Sequence, residues 1–470
     1  MKKLLIIIFS VSLAIAFNAC YKDKGNYTYN IPDEPLVTKL DTVYKAAVGD
    51  SLIITPTITT KSGANLSFDW RVGGPTVSDI HFSGPSLRML FGLGTGRFYG
   101  RLTVINNDNG MRYFHDFKID GVTNFSLGTA VLSVENNVTQ FSFIKPDGAV
   151  QARIYAAVQG ENLPAKPLCM VPTIHQSIVP VTISSYWVMT ENGGVQIGAD
   201  SLKRAKDLAG NFFNAPDTTK VTEMSGTQLG VITGVINHRL YAGFWQTWNL
   251  ASIYGMFGVA CDGDYTLANG LIYATGSTGD YYIGYDAVKK NIIRFNVYGQ
   301  PMYFGTQYSA KGTAFDPTNV GLDLVTMMQV NNGNCFLFGK SSDGTLYELK
   351  FNANFTTEFS LTTIYKRAFS QPALITATTK WQATDDEIFY FNSGSKVYKY
   401  NPTNQNLTAL STDFGGKDVT MIKLIDQNTL VAGVEGSLYY LNISTGKNGD
   451  LIKKIDGIPG SPVDMAVRAQ

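Results

Sequence analysis

The sequence predicts an all-β protein in two parts, an Ig/PKD-like β-sandwich followed by a β-propeller, and three observations lead there. The 470 residues include 46 Gly, 25 Tyr and 27 Phe, a mixture that suits pleated strands and tight turns better than helices built from Ala, Leu, Glu and Lys. From residue 36 onward, short apolar runs with period-two alternation are separated by Gly, Asn and Asp, the signature of strands and turns. From residue 123 one hairpin pattern repeats every roughly 40–60 residues, about the chain needed for a four-stranded propeller blade. Charge is sparse and balanced, 38 Lys and Arg against 37 Asp and Glu. That balance supplies no basic footprint for nucleic acid and no acidic tail for disorder.

Residues 1–19 read as an export signal. Lys2 and Lys3 precede an apolar run, Leu4 to Phe17, broken only by Ser10 and Ser12. The run has the length of a signal-peptide core and falls short of the ~20 apolar residues of a membrane span. It ends in Phe17-Asn18-Ala19-Cys20. A small residue directly before a Cys at this place resembles the lipobox of bacterial lipoproteins, although Phe17 stands where Leu is usual. The resemblance implies cleavage before Cys20 and acylation of its thiol; an ordinary secretory signal is the alternative. Cleavage leaves 36 basic against 37 acidic side chains and no other long apolar segment, so the acyl chains would be the anchor. Residues 20–35 are polar and carry Pro32 and Pro35, as a tether would.

Residues 36–122 are expected to form the sandwich. Val43–Val48 and Ser51–Thr57 flank a Gly49-Asp50 turn, and Leu66–Val72 alternates strictly before stopping at Gly73-Gly74-Pro75. Phe98–Ile105 and Tyr113–Ile119 are joined by Asn106-Asn107-Asp108-Asn109-Gly110, an Asn/Asp-Gly hairpin signal. Trp70 is the expected core aromatic.

Residues 123–470 carry seven hairpins: Ala130–Ile144, Tyr186–Ile197, Leu229–Phe244, Tyr281–Phe295, Cys335–Phe351, Ile388–Tyr400 and Leu430–Leu441. A lone hairpin cannot bury its face, but radially packed blades can, so seven hairpins imply seven blades. Six or eight blades, or two tandem sandwiches, are the alternatives the spacing leaves open. Ser201–Leu208 is expected to form one or two helical turns on an inter-blade loop.

The chemistry-bearing residues are few. His81, His115, His175 and His238 are at least 34 positions apart and none is followed by Glu, so no local zinc motif exists. Cys169, Cys261 and Cys335 sit beside apolar neighbours, as buried small hydrophobes do. No nucleophile elbow or phosphate-binding glycine loop occurs; Gly92, Gly94 and Gly96 read as a loop or bulge. Asp262-Gly263-Asp264 and Asp385-Asp386-Glu387 are the tightest acid clusters, and turns are their expected use. No metal, cofactor or catalytic residue is assigned. One constellation stands out for ligand binding: Tyr241, Trp245, Gln246, Trp248, Asn249 and Tyr254. Aromatic faces beside amides suit sugar rings, and they equally suit peptides or partner proteins. Packing between blades is the alternative. Trp187 and Trp381 read as packing.

The Cys20-Tyr21-Lys22-Asp23-Lys24-Gly25-Asn26-Tyr27 start, Gly49-Asp50, Phe68-Asp69-Trp70, Gly96-Arg97-Phe98-Tyr99 with Leu102-Thr103-Val104, and Leu163-Pro164-Ala165-Lys166-Pro167 together resemble the PKD-like family of Bacteroidetes lipoproteins. The Gly-Asp-Gly turn of ordinary PKD domains is absent; Gly73-Gly74-Pro75 stands there instead. The resemblance implies a lipid-anchored outer-membrane protein at the cell surface, accessory to SusC/SusD-type nutrient importers of glycans or peptides. The expected function is non-enzymatic binding of nutrient, docking on the importer, or both. A propeller glycan hydrolase or lyase and a purely structural accessory are the alternatives.

Overall fold

The computed structural model describes residues 34–74, 77–174, 183–227, 230–245, 253–273, 281–298, 300–331, 333–355 and 358–469. The chain divides into two compact units, one ending at Gly121 and one spanning Val122–Gln470.

In the first unit a five-stranded sheet runs, in spatial order, Val43–Ala47, Arg112–Val122, Gly96–Asn106, Leu66–Gly74, Val77–Ser83. Ser51–Ile54 pairs instead with Leu87–Leu90, and Leu36–Thr38 with Thr57–Thr59. The Gly49-Asp50 turn therefore joins no hairpin; it hands the chain from one sheet to another. Period-two alternation sorts the faces of the large sheet. Phe98, Leu102 and Val104 point into the core beside Trp70, Val72, Phe117 and Ile119, while Tyr99 and Phe114 stay exposed. Trp70 is wholly buried; its indole N–H donates to the Gly84 carbonyl at 2.9 Å, and its ring meets Phe117 edge-on at 5.8 Å. Burying the ring stabilises the sandwich only because that N–H finds a partner. The Asn106–Gly110 joint is a turn closed by Gly110 N–H to Asn106 O, with Gly110 at φ 73°.

The second unit is a seven-bladed propeller. Each expected hairpin is the second and third strand of one blade, counted from the inner strand: Gly128–Glu135 with Val138–Ile144, Ile183–Thr190 with Gly193–Gly198, Ile232–Ile236 with Arg239–Ala242, Tyr281–Asp286 with Asn291–Tyr298, Asn334–Lys340 with Leu346–Asn354, Phe389–Ser393 with Lys396–Asn401, and Thr429–Val434 with Ser437–Asn442. The turns supply the twist these hairpins need. Asn136 and Asn137 both have positive φ, as do Asn237 and His238, and Gly394 and Gly436 serve two later turns.

The inner strands of blades 2 to 7 are Pro167–Ile174, Val221–Gly226, Ile272–Tyr273, Asp323–Asn331, Trp381–Ala383 and Val419–Asp426. The inner strand of blade 1 comes from the far end of the chain: Ser461–Arg468 pairs antiparallel with Gly128–Val134. The last strand thus closes the ring. The register of the inner strand slips by one residue at Leu168, Thr222, Val325, Thr420 and Val463, in five of the seven blades. A bulge of this kind bends a strand and re-aims a side chain.

Polar side chains beside these bulges tie neighbouring blades together. Asp464 of blade 1 accepts the Met170 N–H of blade 2 and the Lys423 ammonium of blade 7, both at 2.9 Å. Thr420 donates to Pro462 O at 2.7 Å, and Gln382 accepts the Leu424 N–H at 3.1 Å. Glu223 of blade 3 accepts the Gly270 N–H and, at 2.9 Å, the Leu271 N–H, just ahead of the blade 4 inner strand. Burial pushes the Glu223 carboxyl up from its ordinary value, against the two N–H groups that pull it down. The folded state thus holds that proton where the unfolded chain has released it. The benefit is complete below the unfolded value near 4.3 and is lost as pH rises through the folded value. Relative to Glu223→Gln, the native protein should therefore lose stability between pH 4 and pH 8, measured by urea midpoints at each pH; a flat difference would refute this.

Two local expectations are corrected. Ser201–Leu208 is not helical: Arg204–Asp207 pairs with Val195–Ile197 as the outer strand of blade 2, and a short 3-10 turn follows at Leu208–Asn211. Edge pairing to an exposed strand outweighs the helix preference of Leu, Lys, Arg and Ala there. An unexpected six-residue helix, Ile154–Gln159, bridges blades 1 and 2 and buries Tyr155. Among the described residues no helix is long and apolar enough to cross a membrane.

Candidate functional site

Blades 2 and 3 share an apolar interface of Val171, Trp187, Met189, Phe212, Val221, Ile232, Tyr241 and Phe257. Tyr241 belongs to that interface. It is 7% exposed and its ring packs against Phe212 at 5.3 Å and Phe257 at 5.8 Å. Its surface there is spent on neighbours rather than offered to a ligand.

At one end of the interface the packing opens into a cavity of 170 Å³. Each wall has a local cause. Thr173 ends the inner strand of blade 2, and Ser184 and Ser185 begin the next strand. Trp187, two residues on, presents its ring from the same strand face. Gln196 comes from the third strand and Lys206 from the fourth. Blade 3 supplies Gly230, Val231 and Ile232, and Tyr254 and Gly255 complete the lining. Gly230 has φ 77°, and a Cβ there would lie 1.8 Å from the Ile174 carbonyl oxygen, so this wall requires glycine.

The polar groups are held in order before any ligand arrives. Thr173 and Ser185 share a hydroxyl hydrogen bond of 2.5 Å, and Gln196 Nε2 donates to Ser185 Oγ at 2.8 Å. Lys206 Nζ lies 5.6 Å from the Trp187 ring centroid and donates to Asn211 Oδ1 at 2.5 Å. Asn211 in turn donates to Gly255 O at 3.2 Å. Burial lowers the Lys206 pKa, and burial raises that of Tyr254. The volume holds about five waters, so the cavity fits one polar ring edge or side chain rather than a whole oligomer. Its lining combines the Tyr254 ring and the nearly buried Trp187 ring with one ammonium, two amides and three aliphatic hydroxyls, and no carboxylate among the described lining residues.

Of the three sequence-selected residues that the structure describes, Tyr241, Trp245 and Tyr254, only Tyr254 lines this cavity. Trp245 is half-buried on the segment leading from blade 3. Gln246, Trp248 and Asn249 lie outside the described residues, as do Cys20 and His175. Ser185, Gln196, Lys206 and Asn211 were missed as site residues, because three strands and a turn of the chain bring them together; Trp187 packs as expected, 2% exposed. Trp381 packs as expected, stacked on Phe338 at 4.6 Å.

Several of the remaining chemistry-bearing residues have structural partners. Asp386 accepts the Thr384 hydroxyl inside a turn, and Asp264 pairs with Lys289 at 2.7 Å. His81 pairs with Asp69, and His238 bonds the Leu267 carbonyl. Cys169, Cys261 and Cys335 are free thiols, and burial pushes Cys169 up to about 12, far from a reactive thiolate at neutral pH. Among the described residues no group of three metal-ligating side chains gathers.

No curated protein matches the chain. Solved structures do. A quinonprotein alcohol dehydrogenase-like protein from Bacteroides thetaiotaomicron VPI-5482 aligns with 92% of this chain and 99% of its own, at 13% identity and a TM-score of 0.44. The extracellular domain of a one-component system from B. thetaiotaomicron aligns with 93% of this chain and 70% of its own, at 10% identity and a TM-score of 0.38. Dihydro-heme d1 dehydrogenase NirN aligns with 85% of this chain and 75% of its own, at 8% identity and a TM-score of 0.41. Residues 20–167, which run from Cys20 through the sandwich and the first two strands of blade 1, match the PKD-like family.

Proposed function

We propose that this chain is a non-enzymatic, surface-exposed outer-membrane lipoprotein, anchored through acylated Cys20, whose propeller binds a glycan or peptide nutrient beside a SusC/SusD-type importer. The observation that carries the binding reading is the cavity between blades 2 and 3. Tyr254 brings aromatic surface to Gln196, Ser185, Asn211 and Lys206, with the buried Trp187 ring packed behind them, the pairing of a flat apolar face and fixed polar groups that small-ligand sites use. Most glycoside hydrolases work with two facing carboxylates, and the described lining carries none. The match of residues 20–167 to the PKD-like family and the export signal ahead of Cys20 support the accessory role.

The test is direct. Neutral oligosaccharides and short peptides are titrated into the purified chain by calorimetry, and products are sought after long incubation. Saturable binding without products is expected. Gln196→Ala and Tyr254→Ala should each weaken it about five- to tenfold, the value of one lost hydrogen bond or ring contact, with unchanged melting temperature. Products, or affinity indifferent to both substitutions, would overturn the reading. Co-purification from mild detergent should recover an importer pair at stoichiometric yield; recovery of the chain alone would remove the importer.

A further inference from the structure

We propose a second binding site, on the outer face of the sandwich, for a sugar unit that carries a carboxylate. The site is independent of the propeller cavity. It is a groove of 510 Å³ lined by Thr42, Arg71, Asp79, Tyr99, Gly100, Arg101, Asp116, Phe117 and Lys118. That volume lies within the range of small-ligand sites.

Strand register explains why a sheet face is concave here. Arg71, Arg101 and Asp116 stand in one row across three strands, and Gly73, Tyr99 and Lys118 in the next. Gly73 carries no side chain in that row, and the Asp79 carboxylate lies over it: a Cβ there would come 2.1 Å from Asp79 Oδ1. Tyr99 is 55% exposed among the charged pairs of this groove. It offers a flat surface on which a sugar ring can pack.

The charged groups are unequally committed. Arg101 is clamped by Asp116 through two bonds of 2.6 and 3.0 Å, and outside the groove Arg97 is clamped by Asp120 at 2.7 and 3.0 Å. Arg71 reaches Asp79 by a single contact of 3.4 Å, with both side chains about half-exposed. Lys118 enters no ion pair among the described residues. Arg71, Arg101 and Lys118 face Asp79 and Asp116, so the groove holds one positive charge in excess. A guanidinium with donors to spare, next to an ammonium, recognises a carboxylate. The remaining carboxylates, fixed by their arginines, can accept sugar hydroxyls. One carboxylate on one ring satisfies both the charge and the Tyr99 surface.

The experiment titrates trigalacturonate, a glucuronate disaccharide and sialyllactose into the full chain by calorimetry, at low salt and at high salt. At least one should bind saturably and more weakly in high salt. Its carboxyl-reduced form should bind at least about tenfold more weakly, the value of a charge-assisted hydrogen bond. Arg71→Gln and Tyr99→Ala should each cost a similar factor. Arg97→Gln and Gln196→Ala should leave affinity unchanged. All four side chains are accessible or partly so, and melting curves verify that each variant is folded. The proposal is overturned if no acid-bearing probe binds, if the reduced form binds equally well, if a simple dipeptide carboxylate binds as tightly, or if Arg71→Gln and Tyr99→Ala leave affinity untouched.

Discussion

Deleting Ser461–Gln470 should abolish the propeller, leaving no cooperative unfolding transition for the second unit. The deletion removes the inner strand of blade 1, whose seven partners run from Gly128 to Val134. It also removes buried Met465 and Ala466, together with Asp464, which joins blades 1, 2 and 7. Arg468 is lost too; it is 5% exposed, pairs with Asp200 at 2.7 Å and donates to the carbonyls of Phe125 and Ala199. Whole domains are stable by only about 5–15 kcal/mol. A strand's ladder, two apolar side chains and two stranded charged networks exceed that margin. Calorimetry and near-ultraviolet dichroism would check this. A truncated chain that still melts cooperatively with native near-ultraviolet signal would show that the ring does not depend on its last strand.

Glu348→Ala should produce the largest loss among single substitutions. Glu348 is wholly buried between blades 5 and 6, where it accepts from the Tyr365 and Tyr400 hydroxyls and, at 3.0 Å, from Arg367. Arg367 also donates to Pro402 O, so the network pins the loop after blade 6's third strand. Alanine would leave a largely buried guanidinium and two hydroxyls without their acceptor. Breaking a buried pair from one side costs about 3–5 kcal/mol, which for a domain of this size is a melting point lower by about 4–7 °C. Glu348→Gln keeps an acceptor and should recover part of the loss. Equal melting points for native protein and Glu348→Ala would mean the carboxylate's burial costs as much as its partners return.

The middle hairpins were legible because they are local. Phe389-Tyr390-Phe391 and Val397-Tyr398-Lys399-Tyr400 face each other across the Asn392-Ser393-Gly394 turn, so pairing, turn and alternation lie within a dozen residues. The inner strands were not legible. Their bulges at Leu168, Thr222, Val325, Thr420 and Val463 break the period-two pattern, and their axial faces carry Asp464, Glu223 and Lys423 where a core strand would carry Val or Ile. The closing strand pairs across more than 300 residues, a distance at which local pattern says nothing. The site divided the same way. Tyr254 stood out as an aromatic near other aromatics. Gln196 and Lys206 are ordinary in sequence and acquire meaning only when Trp187 is set between them. Tyr241 misled because inter-blade packing and ligand platforms use the same residue type.

The closure of blade 1 also has a mechanical reading. The chain enters the second unit through Gly128–Glu135, and that strand is gripped on one side by Val138–Ile144 and on the other by Ser461–Arg468. A pull transmitted from the amino-terminal side would run along this strand and load both ladders in shear at once, so their hydrogen bonds must give way together rather than peel in turn. Resistance to such a pull is set by the rate of unfolding rather than by equilibrium stability. With the proposed anchor at Cys20, the propeller would carry its load on a strand braced on both sides.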